Sequence, residues 1–341
     1  MKLLLVGSDQ VWSLERIYLK YLREAGVETE LFAAQNLLYE YNDRSLFNKI
    51  RLRAGISGIY RRINHQLFEI VRRFRPDVIW VFKGMEVLPD TLRRLHEMGI
   101  PVANYNPDNP FVFTGRGSGN RNVTDSISLY DLHFTYNLEV KKRLEDEFGL
   151  PVRLLPFGFE LAEEVWQECL REPEIRRVCF MGNPDPKRAI MINQLAEAGM
   201  EIDLYGNDWK KVVQHPGLQF FAPVYADGFW KKLRAYRVQL NLMRVHNENS
   251  HNMRSLEVPG VGGIMLAPDT DEHRMLFKDG EEAFLFSGVQ ECVQKANYIL
   301  GLSPGEAETI RKRARERSLG SGYTYKARTA FVLDQLRGLH A

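Results

Sequence analysis

Cysteine is scarce in this chain: three in 341 residues, Cys169, Cys179 and Cys292, far apart and without a CxxC pair. A disulfide framework and a thiolate zinc site are both excluded, and the thiols are expected to be buried in a reducing compartment, the cytoplasm. Charge of one sign is lacking too. Lys and Arg total 46 against 44 Asp and Glu, a net of +2, so no global field attracts nucleic acid and none is expected as a partner. Long apolar runs are missing: Met1–Gly7 is too short for a secretory signal and Ser8-Asp9-Gln10 interrupts it. Nothing approaches the ~18 apolar residues of a membrane span. What remains, 44% hydrophobic and 26% charged with 26 Gly and 15 Pro, is ordinary soluble composition. At roughly 150 residues per domain the length suggests two domains.

Short β-rich runs alternate with longer helical patterns, the signature of βαβ units and a parallel sheet. Strands are predicted near 2–7, 28–32, 77–82, 101–105, 132–135 and 152–154, with helices near 12–25, 46–74, 89–98 and 138–148. Several strands are apolar throughout, as strands covered on both faces are. The pattern restarts with strands near 177–181, 201–205, 218–221, 238–242, 263–267 and 283–286 and helices near 188–198, 250–258, 289–300, 304–318 and 325–336. The expectation is an α/β protein of two tandem, doubly wound, Rossmann-like domains, 1–160 and 161–324, facing a central cleft. A carboxyl-terminal helix over about 325–341 is expected to pack back on the first domain.

The richest block runs from Asn249 to Ala267. Asn249 or Ser250 can cap a short helix whose free N–H groups and positive dipole end suit a diphosphate. Arg254 in its first turns can add a charge-assisted contact, and Glu257 can accept from vicinal hydroxyls such as those of a ribose. The plain alternative is a capped helix with a surface Arg–Glu i,i+3 pair.

Four blocks in order carry a family resemblance: Val178–Asn183 with Arg188, Leu204–Trp209, Met253–Pro268, and Phe277–Glu282 with Phe284–Phe286. Together they resemble the carboxyl-terminal domain of GT-B glycosyltransferases of the spore-maturation-protein, CgeB-like type, over most of 176–335. The resemblance implies a GT-B-like fold and a hexosyltransferase-like activity, with a nucleotide diphosphate sugar, UDP- or dTDP-linked, as co-substrate. It implies that Glu257 binds ribose, Arg254 and Arg188 meet the diphosphate, Gly182 permits close backbone approach, and Tyr205-Gly206 border the base. Asn183, His251 and Asn252 complete the implied donor set. Two departures stand out: Leu256 replaces an aromatic before the glutamate, and Ile264 stands where other GT-B enzymes carry a second glutamate.

On the acceptor side, Tyr105–Pro110 follows a strand, which places Asn106 and Asp108 at its carboxyl end. Asp108 is the candidate general base toward an acceptor hydroxyl, and a turn-forming Asp is the alternative. Gly7, Ser8 and Asp9 after the first strand are further candidates, although a plain βα turn with Asp9 as helix cap is the better reading. Asp269-Thr270-Asp271 imitates a metal motif but reads better as a cap before 272–276, so no metal is expected. Residues 44–75 hold nine basic residues and one acidic, Glu69, among apolar ones. Such a segment either rests on anionic lipid at the inner membrane face or packs on the sheet with a solvated basic rim.

Function is therefore expected to be metal-independent transfer of a sugar to a hydroxyl of a glycan, glycan precursor or small metabolite. The alternatives are a nucleotide-sugar epimerase of the same fold and a noncatalytic nucleotide- or sugar-binding protein.

Overall fold

The computed structural model describes residues 1–54, 56–113, 117–244 and 249–340. Strands β1 (Lys2–Val6), β2 (Glu28–Phe32), β3 (Val78–Phe82), β4 (Val102–Asn106), β5 (Leu132–Thr135) and β6 (Val152–Leu154) form one parallel sheet in the order β2-β1-β3-β4-β5-β6. Strands β7 (Ile175–Met181), β8 (Ile202–Tyr205), β9 (Leu218–Phe221), β10 (Tyr236–Leu240), β11 (Met265–Pro268) and β12 (Phe284–Phe286) form a second, in the order β12-β11-β10-β7-β8-β9. The second order is that of dinucleotide-binding Rossmann sheets, with its reversal of direction between β7 and β10.

The apolar strands are covered on both faces. Leu3, Leu5, Trp80, Phe82 and Tyr105 join one core cluster, whereas their alternating neighbours Leu4, Val6, Ile79, Val81 and Val102 join another on the opposite face. The second sheet repeats this, with Val178 and Phe180 in one cluster and Cys179 and Met181 in the other. All three cysteines are buried and free.

Two compact units result: Met1–Pro156 joined by the helix Tyr325–His340, and Phe157–Thr324. Val332, Leu333 and Leu336 of that helix pack with Leu3, Tyr18 and Trp80. Sequence periodicity predicted a single helix over 46–74, but there are two, Leu46–Arg53 and Ile59–Phe74. Two glycines, Gly55 and Gly58, fall between them and weaken helix propensity there. A further helix, Ala34–Asp43, was not anticipated. Among the described residues no helix is long and apolar enough to cross a membrane.

Leu336 is fully buried in a core whose other members, apart from Tyr325, Val332 and Leu333 of its own helix, come from the first 155 residues. Leu336→Ala should therefore destabilise the amino-terminal unit by about 2–5 kcal/mol, read as a lowered urea midpoint.

Candidate functional site

The end of β7 and the beginning of the loop after β10 lie side by side at the reversal point of the second sheet, where ligands of such sheets collect. Several bonds tie the strand ends together. Gly182 donates its N–H to the Tyr205 carbonyl at 2.9 Å, Gly206 donates to Phe221 at 3.2 Å, and Trp209 Nε1 donates to the Gly182 carbonyl at 2.7 Å. Gly206 has φ +157°, and a Cβ there would fall 2.3 Å from the Gly182 carbonyl oxygen, so only glycine fits. Tyr205 stacks on Phe221 with ring centroids 4.7 Å apart, and its hydroxyl meets that of Tyr236, which donates to Asp203 at 2.7 Å.

Helix Pro186–Glu197 starts beside these loops, its first amides accepted by Asp185. From its first turn Arg188 reaches across the reversal point. Its Nε and Nη2 donate to the Leu242 carbonyl at 3.2 and 2.7 Å, and its Nη1 donates to that of Asn183 at 3.1 Å. Burial and then the nearby charge of Arg244 push its pKa down to about 10, still well above neutral.

The helix Met253–Val261 is capped by Asn252, whose side chain accepts from the Ser255 amide in a capping box. Sequence reading placed the cap at Asn249 or Ser250. Ser250 instead hydrogen-bonds Glu272. Asn252 is held in turn by Asn241, its Nδ2 donating to Asn241 Oδ1 at 2.8 Å. Arg254 lies 4.2 Å over the Phe229 ring and pairs with Glu257 one turn on.

These elements enclose a cavity of about 370 Å³ lined by Gly182, Asn183, Arg188, Tyr205, Gly206, Asn252 and Arg254 among others. Arg244, Tyr225 and Phe229 also line it, and none of the three was singled out from sequence. Among the described lining residues there are three arginines and no carboxylate. Glu257 and His251 stand apart from that lining. Glu257 is buried with its carboxylate on Arg254, and His251 is buried with its backbone N–H donating to Glu272 at 3.1 Å. In this geometry the Glu257 carboxylate meets Arg254 and the His251 backbone N–H meets Glu272, and neither residue is among those lining the cavity.

The D-x-D imitation separates into two roles. Thr270 caps helix Asp271–Leu276, and Asp269 pairs with Arg274 at 2.6 Å. No cluster of three or more metal-ligating side chains occurs among the described residues.

In the amino-terminal unit, Asn106 ends β4 and accepts from the Asp108 amide at 2.9 Å. Asp108 itself is pinned by Lys83 at 2.7 Å. Lys83 follows β3 and holds a left-handed φ of +59°. Gly7 and Ser8 wrap a buried carboxylate: Ser8 donates its N–H to Glu15 at 2.7 Å, and a Cβ on Gly7 would overlap Glu15. Asp9 is no cap, since the following helix, Leu14–Glu24, has Ser13 at that position and Asp9 pairs with Arg16 at 3.3 Å. Burial pushes Glu86, beside Lys83, up to about 8 and raises Glu15 as well. Lys83, Glu15 and Glu86 were missed because nothing in their local sequence marks them; topology alone brings them to the reversal between β1 and β3.

Residues 187–334 match the glycosyl transferase-like family. No curated protein matches the chain in sequence. Solved structures align along its whole length. Sucrose-phosphate synthase from Thermosynechococcus elongatus superposes with a TM-score of 0.72 at 12% identity, covering 99% of each chain. A glycosyltransferase from Rickettsia africae gives 0.69 at 12%, covering 99% of this chain and 98% of the other. HepE of Anabaena in complex with UDP-glucose gives 0.66 at 13%, covering 99% and 100%. At such identities the likeness establishes the fold: two tandem Rossmann-like domains of GT-B type.

Gly206→Ala should cost about 1–3 kcal/mol from its backbone conformation alone, before the collision with Gly182 is counted. Gly182→Ala, whose Cβ would meet Phe180 at 3.3 Å, should cost less; thermal unfolding of the two variants gives the order. Glu86 supplies a pH signature. Its folded pKa is raised from 4.5 to about 8, so the folded state holds the extra proton between those values and the associated stability is lost as pH rises through about 8. Urea unfolding at about pH 5 and about pH 8.5 should show Glu86→Gln gaining on the parent protein at the higher pH. An equal difference at both would mean that Glu86 is ionised throughout.

Proposed function

We propose that the protein is a glycosyltransferase that moves a sugar from a nucleotide diphosphate sugar to a hydroxyl acceptor, a glycan, glycan precursor or small metabolite. The observation that carries this reading is the convergence of Arg188, Arg244 and Arg254 with the start of helix Met253–Val261 on one cavity without a lining carboxylate among the described residues. Glu257 pairs with Arg254 and Asp185 lies 3.5 Å from Arg188, yet three guanidinium groups around one cavity still favour an anionic ligand. A diphosphate supplies that charge.

In this reading the base borders Tyr205-Gly206 while Arg254, Arg244 and the first amides of the helix take the diphosphate. The same groups stabilise the negative charge that grows on the leaving nucleotide, so metal is not required. Arg188 gives most of its donors to carbonyls and acts chiefly by fixing the loops. Glu257 serves the donor through Arg254. Asp108 accepts the proton of the attacking hydroxyl, with Lys83 fixing its orientation. HepE, bound to UDP-glucose, supports UDP as the nucleotide, with dTDP the alternative. The order of the four sequence blocks supports the CgeB-like type, and the reducing cytoplasm suits both the buried thiols and a nucleotide-sugar pool.

Calorimetry with UDP, dTDP and their sugars tests the donor site. Arg254→Ala and Glu257→Gln should each weaken donor binding by roughly ten- to a hundredfold, the worth of a charge-assisted hydrogen bond. Unchanged affinity in both variants would reduce the pair to a structural i,i+3 contact. Product analysis with and without acceptor then separates transfer from epimerisation. Asp108→Asn should slow the chemical step by about two to four orders of magnitude with donor affinity retained. A near-normal rate would leave Asp108 as a turn residue.

A further inference from the structure

One face of the amino-terminal sheet carries a layer of helices, Ala34–Asp43, Leu46–Arg53, Ile59–Phe74 and Pro89–Glu97, which share a single core cluster. The longest of these buries its apolar side, Ile59, Ile63, Leu67, Phe68 and Val71, against the sheet. The short helix does not. Leu46 is 73%, Phe47 64% and Ile50 53% exposed, with Ile56 beyond it at 66%. Positions 46, 47 and 50 share one face of a helix, so this is a contiguous apolar ridge and not scattered exposure.

The exposed charge of this helical layer is mostly basic. Arg44, Arg61, Arg62, Arg72, Arg73 and Arg75 are all exposed. The acidic groups of the layer are Glu40, Asp43, Glu69, Asp90 and Glu97, of which Asp43 lies 3.5 Å from Lys49, Glu69 3.6 Å from His65, and Asp90 pairs with Arg93. Between helices Ile59–Phe74 and Pro89–Glu97 lies a cavity of about 280 Å³ whose lining includes Arg61, His65, Arg72 and Arg94, with Asp90 its one described carboxylate. That cavity is open to solvent and sized for a phosphate-bearing headgroup.

We propose that this helical layer docks on an anionic phospholipid bilayer, with Leu46, Phe47 and Ile50 entering the interface while the arginines meet headgroup phosphates. Apolar insertion and basic attraction are each weak alone, and peripheral binding becomes stable when one surface supplies both. The inference stands independently of the donor site, because vesicle binding needs no nucleotide sugar.

The test is sedimentation of the full chain with vesicles of phosphatidylcholine alone or mixed with phosphatidylglycerol. Binding should appear only with phosphatidylglycerol and fall steeply with salt. Phe47→Ser combined with Ile50→Ser should weaken it about tenfold or more, and so should Arg61→Gln combined with Arg72→Gln, which leaves the apolar ridge intact. Circular dichroism checks that each variant is folded. Failure to bind the mixed vesicles, equal binding to both kinds, or indifference to both pairs of substitutions would overturn the proposal. So would self-association through this face without vesicle binding, which would make a second copy of the chain its occupant.

Discussion

A buried guanidinium joins the two halves of the second sheet. Arg188 spans the gap that opens between β7 and β10 because their following helices depart to opposite sides, and its bonds to the Asn183 and Leu242 carbonyls hold the two loops at fixed separation. Taking this charge out of water is expensive, and the lowering of its pKa to about 10 records that cost. Several charge-assisted bonds to carbonyls offset it. Two parts of the cavity lining flank this brace: Gly182 and Asn183 on one side, Arg244 on the other.

The brace also concentrates positive charge at the cavity. Arg244 and Arg254 both disfavour the charged form of Arg188, and Asp185 offsets this only in part. A bound polyanion would turn this repulsion into attraction, so ligand binding and stability of the second unit should be coupled. Glu257 has a corresponding place: buried, with its carboxylate paired to Arg254, it fixes that guanidinium.

Much of this was legible from sequence because strands covered on both faces are rich in apolar residues, and β1, β3 and β11 could be placed by that signal. The donor loops were legible for a related reason. Gly206 is required by its backbone, and a glycine at a strand end announces itself. Caps were less legible, since Asn249, Ser250 and Asn252 are all competent and only tertiary contacts to Asn241 select Asn252. The break at Gly58 hid within a good amphipathic pattern. Arg244 and Lys83 were invisible: each is a solitary base beyond a strand, and its meaning comes from which other strand end lies beside it. The position of Asp108 just beyond the end of β4 was legible, but its pairing with Lys83 is a property of the sheet order and has no local signature.

The helix Tyr325–His340 makes the first unit discontinuous, and that bears on how the protein is made. Leu3 and Tyr18 emerge from the ribosome early, yet their packing partners Val332 and Leu336 emerge more than three hundred residues later. The second unit, contiguous from Phe157 to Thr324, can complete its core while the first is still open. Synthesis therefore inverts the usual order: the domain begun first is finished last, and its unclosed apolar sheet face depends on chaperones, or on speed, until the final helix arrives.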